Sequence, residues 1–160
     1  MDYGLKGKVV LVNGSTGGIG QAICRAFARE GAKLAIASTS QAKLDAFVPT
    51  LDIAPEDLKT FVADATKAEE VKAWVDGAYN HFGHIDVVIP NAGYEGSYQE
   101  IQDCTVENYM KVYSINVFGP MLLMKYAAPY LLKQESGAIV TIASNGSYTT
   151  AAGMSAYCSS

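Results

Sequence analysis

Cysteine is scarce. Cys24, Cys104 and Cys158 are the three present, far apart, with no CxxC pair and no cluster of metal-ligand spacing. A disulfide framework and a metal site are therefore not expected, and a reduced, cytoplasmic setting is. Positive charge is also short: 12 lysines and arginines stand against 16 acids, for a net charge of −4 and a pI near 5.1. No basic stripe occurs, which argues against nucleic acid or an anionic membrane surface as partner. Long apolar runs are missing too. The nearest approach, residues 117–132, is interrupted by Pro120, Lys125 and Pro129, and a membrane span needs ~18–20 apolar residues. The opening Met1-Asp2-Tyr3-Gly4-Leu5-Lys6 has no basic segment leading into an apolar one, so no signal peptide is expected. Repeats, low-complexity tracts and linkers are absent.

What is there suits one core-forming domain. The 160 residues are 49% hydrophobic and 18% charged, enough to bury a real core. Short β-branched runs alternate with helical stretches. Strands are expected at 8–12, 34–37, 59–62, 85–89 and 138–142, and helices at 18–30, 41–47, 68–82 and broadly 105–133. In 18–30, Ile19, Ala22, Ile23, Ala26 and Phe27 recur at helical spacing. The last segment, 144–160, is small and polar and reads as a loop. Apolar strands each followed by a helix imply an α/β fold, a doubly wound parallel sheet covered on both faces.

The first strand runs into Asn13-Gly14-Ser15-Thr16-Gly17-Gly18-Ile19-Gly20 and then a helix. A glycine at a strand exit permits a tight turn. Glycines at the helix start let backbone approach a pyrophosphate, which the free N–H groups and the helix dipole favour. The glycines at 14, 18 and 20 are spaced GxxxGxG, not GxGxxG or GxGxG. Asp64 follows the third strand in Val62-Ala63-Asp64-Ala65-Thr66; by itself it reads equally well as a helix-capping group. Asn91-Ala92-Gly93 follows the fourth strand, at the sheet edge where ligands of open α/β sheets bind. Asn116 is a polar residue between Ile115 and Val117 and needs partners if buried. Ser144 ends the fifth strand, and Tyr157 comes thirteen residues later.

Together these motifs resemble the short-chain dehydrogenase/reductase family over nearly the whole chain. The resemblance implies a Rossmann-like sheet of order 3-2-1-4-5 and an NAD(P)-dependent oxidoreductase that interconverts a secondary alcohol and a ketone. Gly14, Ser15, Thr16, Gly18, Ile19 and Gly20 would hold the cofactor, with Ser38, Thr39, Asp64 and Ala65 at its adenosine end. Asn91, Ala92, Gly93 and Tyr157 would lie along the rest of it. Pro90 replaces the first asparagine of the family's Asn-Asn-Ala-Gly. Ser144 would hold the substrate oxygen, Tyr157 would exchange its proton, and Asn116 would anchor a water. A tyrosine hydroxyl ionises near pH ~10, so it needs a nearby ammonium to work at neutral pH. The family supplies one in Tyr-x-x-x-Lys, which calls for a lysine at 161, whereas the sequence ends at Ser160.

The expectation is thus an NAD(P)-binding domain over 1–160 that is C-terminally truncated. It would lack later strands and helices, have little activity by itself and expose its fifth strand as an edge. The alternative is a non-catalytic dinucleotide-binding fragment. An epimerase-like protein would share Tyr-x-x-x-Lys but carry another glycine spacing and an acid after the second strand. Ala37-Ser38-Thr39-Ser40-Gln41 has neither an acid nor a base, so NAD and NADP both stay open. A small-molecule alcohol or ketone is the expected partner, and the full-length parent is expected to be a homo-oligomer.

Overall fold

Apolar alternation in the strands sets up two buried layers, one on each face of a sheet. The computed structural model describes residues 2–134 and 136–160. Its strands are β1 (Val9–Val12), β2 (Lys33–Ser38), β3 (Leu58–Val62), β4 (Val87–Ile89) and β5 (Ala138–Ile139). They form one parallel sheet of order β3-β2-β1-β4-β5. The main helices are α1 (Gly18–Arg29), α2 (Gln41–Phe47), α3 (Ala68–Phe82), α4 (Val106–Tyr113) and α5 (Gly119–Lys133).

Period-two alternation divides each strand between the layers. Val10 and Val12 of β1, with Leu34 and Ile36 of β2, pack against Cys24 and Ala28 of α1 and Leu44 and Phe47 of α2. Val9 and Leu11, with Ala35 and Ala37, face Trp74, Val75 and Ala78 of α3 and Leu123 and Ala127 of α5. Each fully buried aliphatic side chain contributes about 1.5–3 kcal/mol, so both layers are needed to hold the sheet. The small Ala35 and Ala37 leave room for the indole of Trp74 in the second layer.

Three local results differ from the sequence reading. The stretch expected as one helical region divides into α4 and α5, joined by a π-helical turn, Ser114–Phe118. β5 is short as a regular strand, but its ladder continues. Val140 N–H donates to Val88 O and Ile142 N–H to Pro90 O, both at 2.9 Å. Pro90 therefore leaves the strand end intact, because the ladder uses its carbonyl. The terminal segment, expected as a loop, holds a 3-10 turn (Asn145–Ser147) and a short helix, α6 (Ser155–Cys158). β5 is the edge of the described sheet. Ile139 and Val140 are exposed there, while Ile142 turns inward against the α1–α2 layer. No helix among the described residues is long and apolar enough to cross a membrane.

Candidate active site

The glycine-rich turn joins β1 to α1 with little freedom. Gly14 has φ +58°, and a Cβ there would lie 2.9 Å from Ala92 Cα. A Cβ on Gly20 would overlap Gly14 O and come within 2.8 Å of Ser15 Cα. These two glycines are fixed by the protein's own packing. Gly18 is not: a Cβ there would meet nothing within 4 Å. It lines the cleft described next, so the space beside it is open to a ligand. The first turn of α1 has no side-chain cap, and helix-start N–H groups without a cap favour an anion.

A cleft of about 620 Å³ runs across the carboxyl ends of the strands. Gly14, Thr16, Gly18, Ile19 and Gly20 form one wall. Ser38 and Thr39 from the end of β2, then Asp64 and Ala65 after β3, form the adenosine-side wall by position in the sheet. Asn91, Ala92 and Gly93 lie at the other end, with Tyr94 and Ile115. Every one of these was singled out in the sequence except Tyr94 and Ile115. Ser15 was singled out too, but it is fully buried and does not line the cleft. Its hydroxyl and its N–H both donate to Ala37 O, at 2.9 and 3.2 Å. It ties the turn to β2.

Asn91 is spent on the scaffold. Its Nδ2 donates to Asn13 O (3.0 Å) and Gly14 O (3.1 Å). Buried Asn13 returns the bond: its Oδ1 accepts from Asn91 N–H (2.6 Å) and Ala92 N–H (2.9 Å). This reciprocal clamp joins the ends of β1 and β4. Sequence reasoning missed Asn13, although a polar residue ending an apolar strand was the available signal. Asp64 is half committed. Its Oδ1 accepts from Thr66 N–H and Oγ1–H, at 2.9 and 2.8 Å, which is an Asx turn and not the cap of α3, where Lys67 stands.

A second recess, about 160 Å³, adjoins the first and shares Ala92 and Gly93 with it. Asn116, Ser144 and Tyr157 line it. Gly146 lies between the last two: a Cβ on it would be 3.3 Å from Tyr157 Cε1 and 3.4 Å from Ser144 Oγ. Ser144 Oγ accepts from Gly146 N–H at 3.1 Å and donates to Asn145 Oδ1 over a long 3.4 Å. That donation is weak enough to be exchanged for a substrate oxygen. Asn116 sits in the π-turn. Its Oδ1 accepts from Tyr94 N–H (2.8 Å), and its Nδ2 donates to Tyr94 O (3.0 Å) and Ser160 Oγ (2.9 Å). Ser160 in turn donates to Tyr157 O at 2.8 Å. Asn116 thus connects the loop after β4 to the α6 turn. Lysine and arginine are absent from the recess lining among the described residues.

The fold and the cleft define a Rossmann-like, doubly wound α/β protein whose ligand edge is the glycine-rich one. The chain belongs to the short-chain dehydrogenase family, whose model matches residues 8–160. It is similar to human dehydrogenase/reductase SDR family member 4, 34% identical over 153 residues, covering 96% of this chain and 55% of that protein. Among solved structures, levodione reductase superposes with a TM-score of 0.92 at 31% identity, covering 97% of this chain and 61% of that one. An NAD+-bound xylitol dehydrogenase gives 0.90 at 32% identity, covering 97% and 60%. The chain therefore spans a little over half the length of these relatives.

Proposed function

We propose that these residues form the cofactor cleft and acid–base pair of an NAD(P)-dependent oxidoreductase that interconverts a secondary alcohol and a ketone. One observation carries the reading: the glycine-lined cleft and the Ser144–Tyr157 recess meet at Ala92 and Gly93. A dinucleotide bound in the cleft would bring its nicotinamide end to that junction. The open space beside Gly18 and the uncapped first turn of α1 fit a pyrophosphate. Ser38 and Thr39 would face the adenosine ribose, and the free oxygen of Asp64 the adenine.

A bound nicotinamide supplies or accepts the hydride. The protein's part is oxygen and proton. Ser144 turns its hydroxyl from Asn145 to the carbonyl oxygen, and Tyr157 delivers its phenolic proton there as the carbon is reduced. Positioned proton transfer of this kind contributes about 10²–10⁴ in rate. Asn116 holds the α6 turn through Ser160, which supports the aim of Tyr157.

The recess offers no lysine or arginine beside Tyr157, which favours a second, narrower reading of the 160 residues alone: dinucleotide binding with little turnover. Nicotinamide absorbance with a panel of ketones and secondary alcohols tests both. The whole-length protein should turn over, and Tyr157→Phe should lower its kcat by about 10²–10⁴. A folded, cofactor-bound whole-length protein with no turnover would refute the oxidoreductase reading. Turnover by the 160-residue chain would refute the narrower one. A homo-oligomer joined through α4 and α5 is also proposed, because Val106, Met110, Phe118 and Met121 are exposed along them. Phe118→Glu should shift the sedimentation of the whole-length protein toward monomer.

A further inference from the structure

The adenosine end of the cleft carries one charge that neighbouring sequence positions did not reveal. Lys43, in the first turn of α2, lines the cleft beside Ser38 and Thr39. Its backbone is held by Ser40, whose hydroxyl accepts Lys43 N–H at 3.3 Å. Its ammonium makes no ion pair among the described residues. Asp45, two positions on, belongs to a different side of the helix and accepts from Gln41 Nε2 at 2.7 Å. Asp64 is the one carboxylate in the cleft lining; it belongs to the end of β3, and one of its oxygens holds Thr66.

The end of β2 itself holds hydroxyls. Ser38, only 5% exposed, shares a 2.8 Å hydrogen bond with Thr16 and accepts Ser40 N–H at 3.4 Å. A ribose with a free 2′-hydroxyl is recognised by a carboxylate acceptor at this point; a 2′-phosphate needs donors and positive charge. The wall offers the second set. It has two hydroxyls, an unpaired ammonium on a flexible stem, and no carboxylate of its own to repel the phosphate. Lysine serves a phosphate well as a mobile point charge.

We propose that Lys43 is the specificity-determining residue that makes this chain prefer the 2′-phosphorylated cofactor, NADP. The proposal rests on the dinucleotide reading of the cleft. Fragment probes isolate it from the chemistry: calorimetry of the 160-residue chain with adenosine 2′,5′-bisphosphate and with 5′-AMP. One charge-assisted hydrogen bond should give the bisphosphate about a tenfold advantage, shrinking as salt rises. Lys43→Met should bring the ratio to about one, and Lys43→Glu should reverse it. Both variants change an exposed side chain, and far-UV circular dichroism checks that they fold. Equal affinities in the wild type, or a ratio that survives Lys43→Met, would overturn the assignment while leaving the cleft a nucleotide site. Failure of the folded chain to bind either probe would overturn the dinucleotide reading and this proposal together.

Discussion

Replacing Gly18 with alanine should make the free protein more stable and a worse binder. Gly18 is the first residue of α1, and a Cβ on it would touch nothing within 4 Å. Its φ lies outside the left-handed region, so alanine adopts the conformation without strain. Alanine exceeds glycine by about 1 kcal/mol in a helix interior, and also restricts the unfolded chain. At the first helical position only part of this is realised. A gain of about 0.5 kcal/mol follows, or roughly 1–2 °C in Tm for a chain of this size. The ligand meets the opposite effect. The new methyl stands where a pyrophosphate oxygen would approach the N–H groups of the first turn. Loss of one charge-assisted hydrogen bond, about 1.5–3 kcal/mol, lowers affinity roughly 10- to 150-fold. Gly20→Ala is the contrast. Its Cβ would overlap Gly14 O and lie 2.9 Å from Asn91 Nδ2, so it should destabilise the free chain by about 1–3 kcal/mol. Urea denaturation of the free chains and calorimetry with NADH and NADPH measure both effects. The reasoning is refuted by a Gly18→Ala chain that binds as well as wild type, or one that loses as much stability as Gly20→Ala.

Asn13→Ala should cost about 2–4 kcal/mol in urea denaturation, because the N–H groups of Asn91 and Ala92 lose their shared acceptor; a cost under about 0.5 kcal/mol would mean the clamp carries no load. Gly146→Ala should lower the whole-length protein's kcat about tenfold or more by crowding Ser144 and Tyr157, with unchanged turnover as the contrary result. Burial pushes the Cys24 thiol from 9.0 to about 12, against a smaller opposing pull from Arg25. The folded chain keeps a proton that the unfolded chain gives up, so this stability is complete below pH 9 and lost as pH rises toward 12. The decline should be about 1.4 kcal/mol per pH unit, and a Cys24→Ala chain that declined as steeply would contradict it. Val140→Lys, on the exposed edge strand, should reduce concentration-dependent association in light scattering.

The fold was readable because its signals are local and periodic. The runs in β1 and β2 and the helical spacing in α1 name their elements without help from the rest of the chain. The strand order followed from right-handed crossovers and the family pattern. Roles inside the cleft were less readable, because they depend on which atoms are already bonded. Asn91 and Ser15 sit in the right motifs, yet their polar groups serve Asn13, Gly14 and Ala37. Lys43 was missed for a related reason. It is five residues past the end of β2, and only the path of the chain into α2 brings it back to the cleft. The π-turn had no visible signal at all, since Ser114-Ile115-Asn116-Val117-Phe118 fits an ordinary helix in composition.

That π-turn sets the phase of everything after it. An α-helix advances about 100° per residue, and a π-turn admits an extra residue into the winding. Deleting one residue between Ser114 and Phe118 would let α4 and α5 fuse into a regular helix. The face of α5 that carries Leu123 and Ala127 would then swing by about 100° relative to α4. The same stroke would carry Asn116 away from Tyr94. The core layer over Trp74 and the anchor of the catalytic recess are therefore keyed to a single residue of winding.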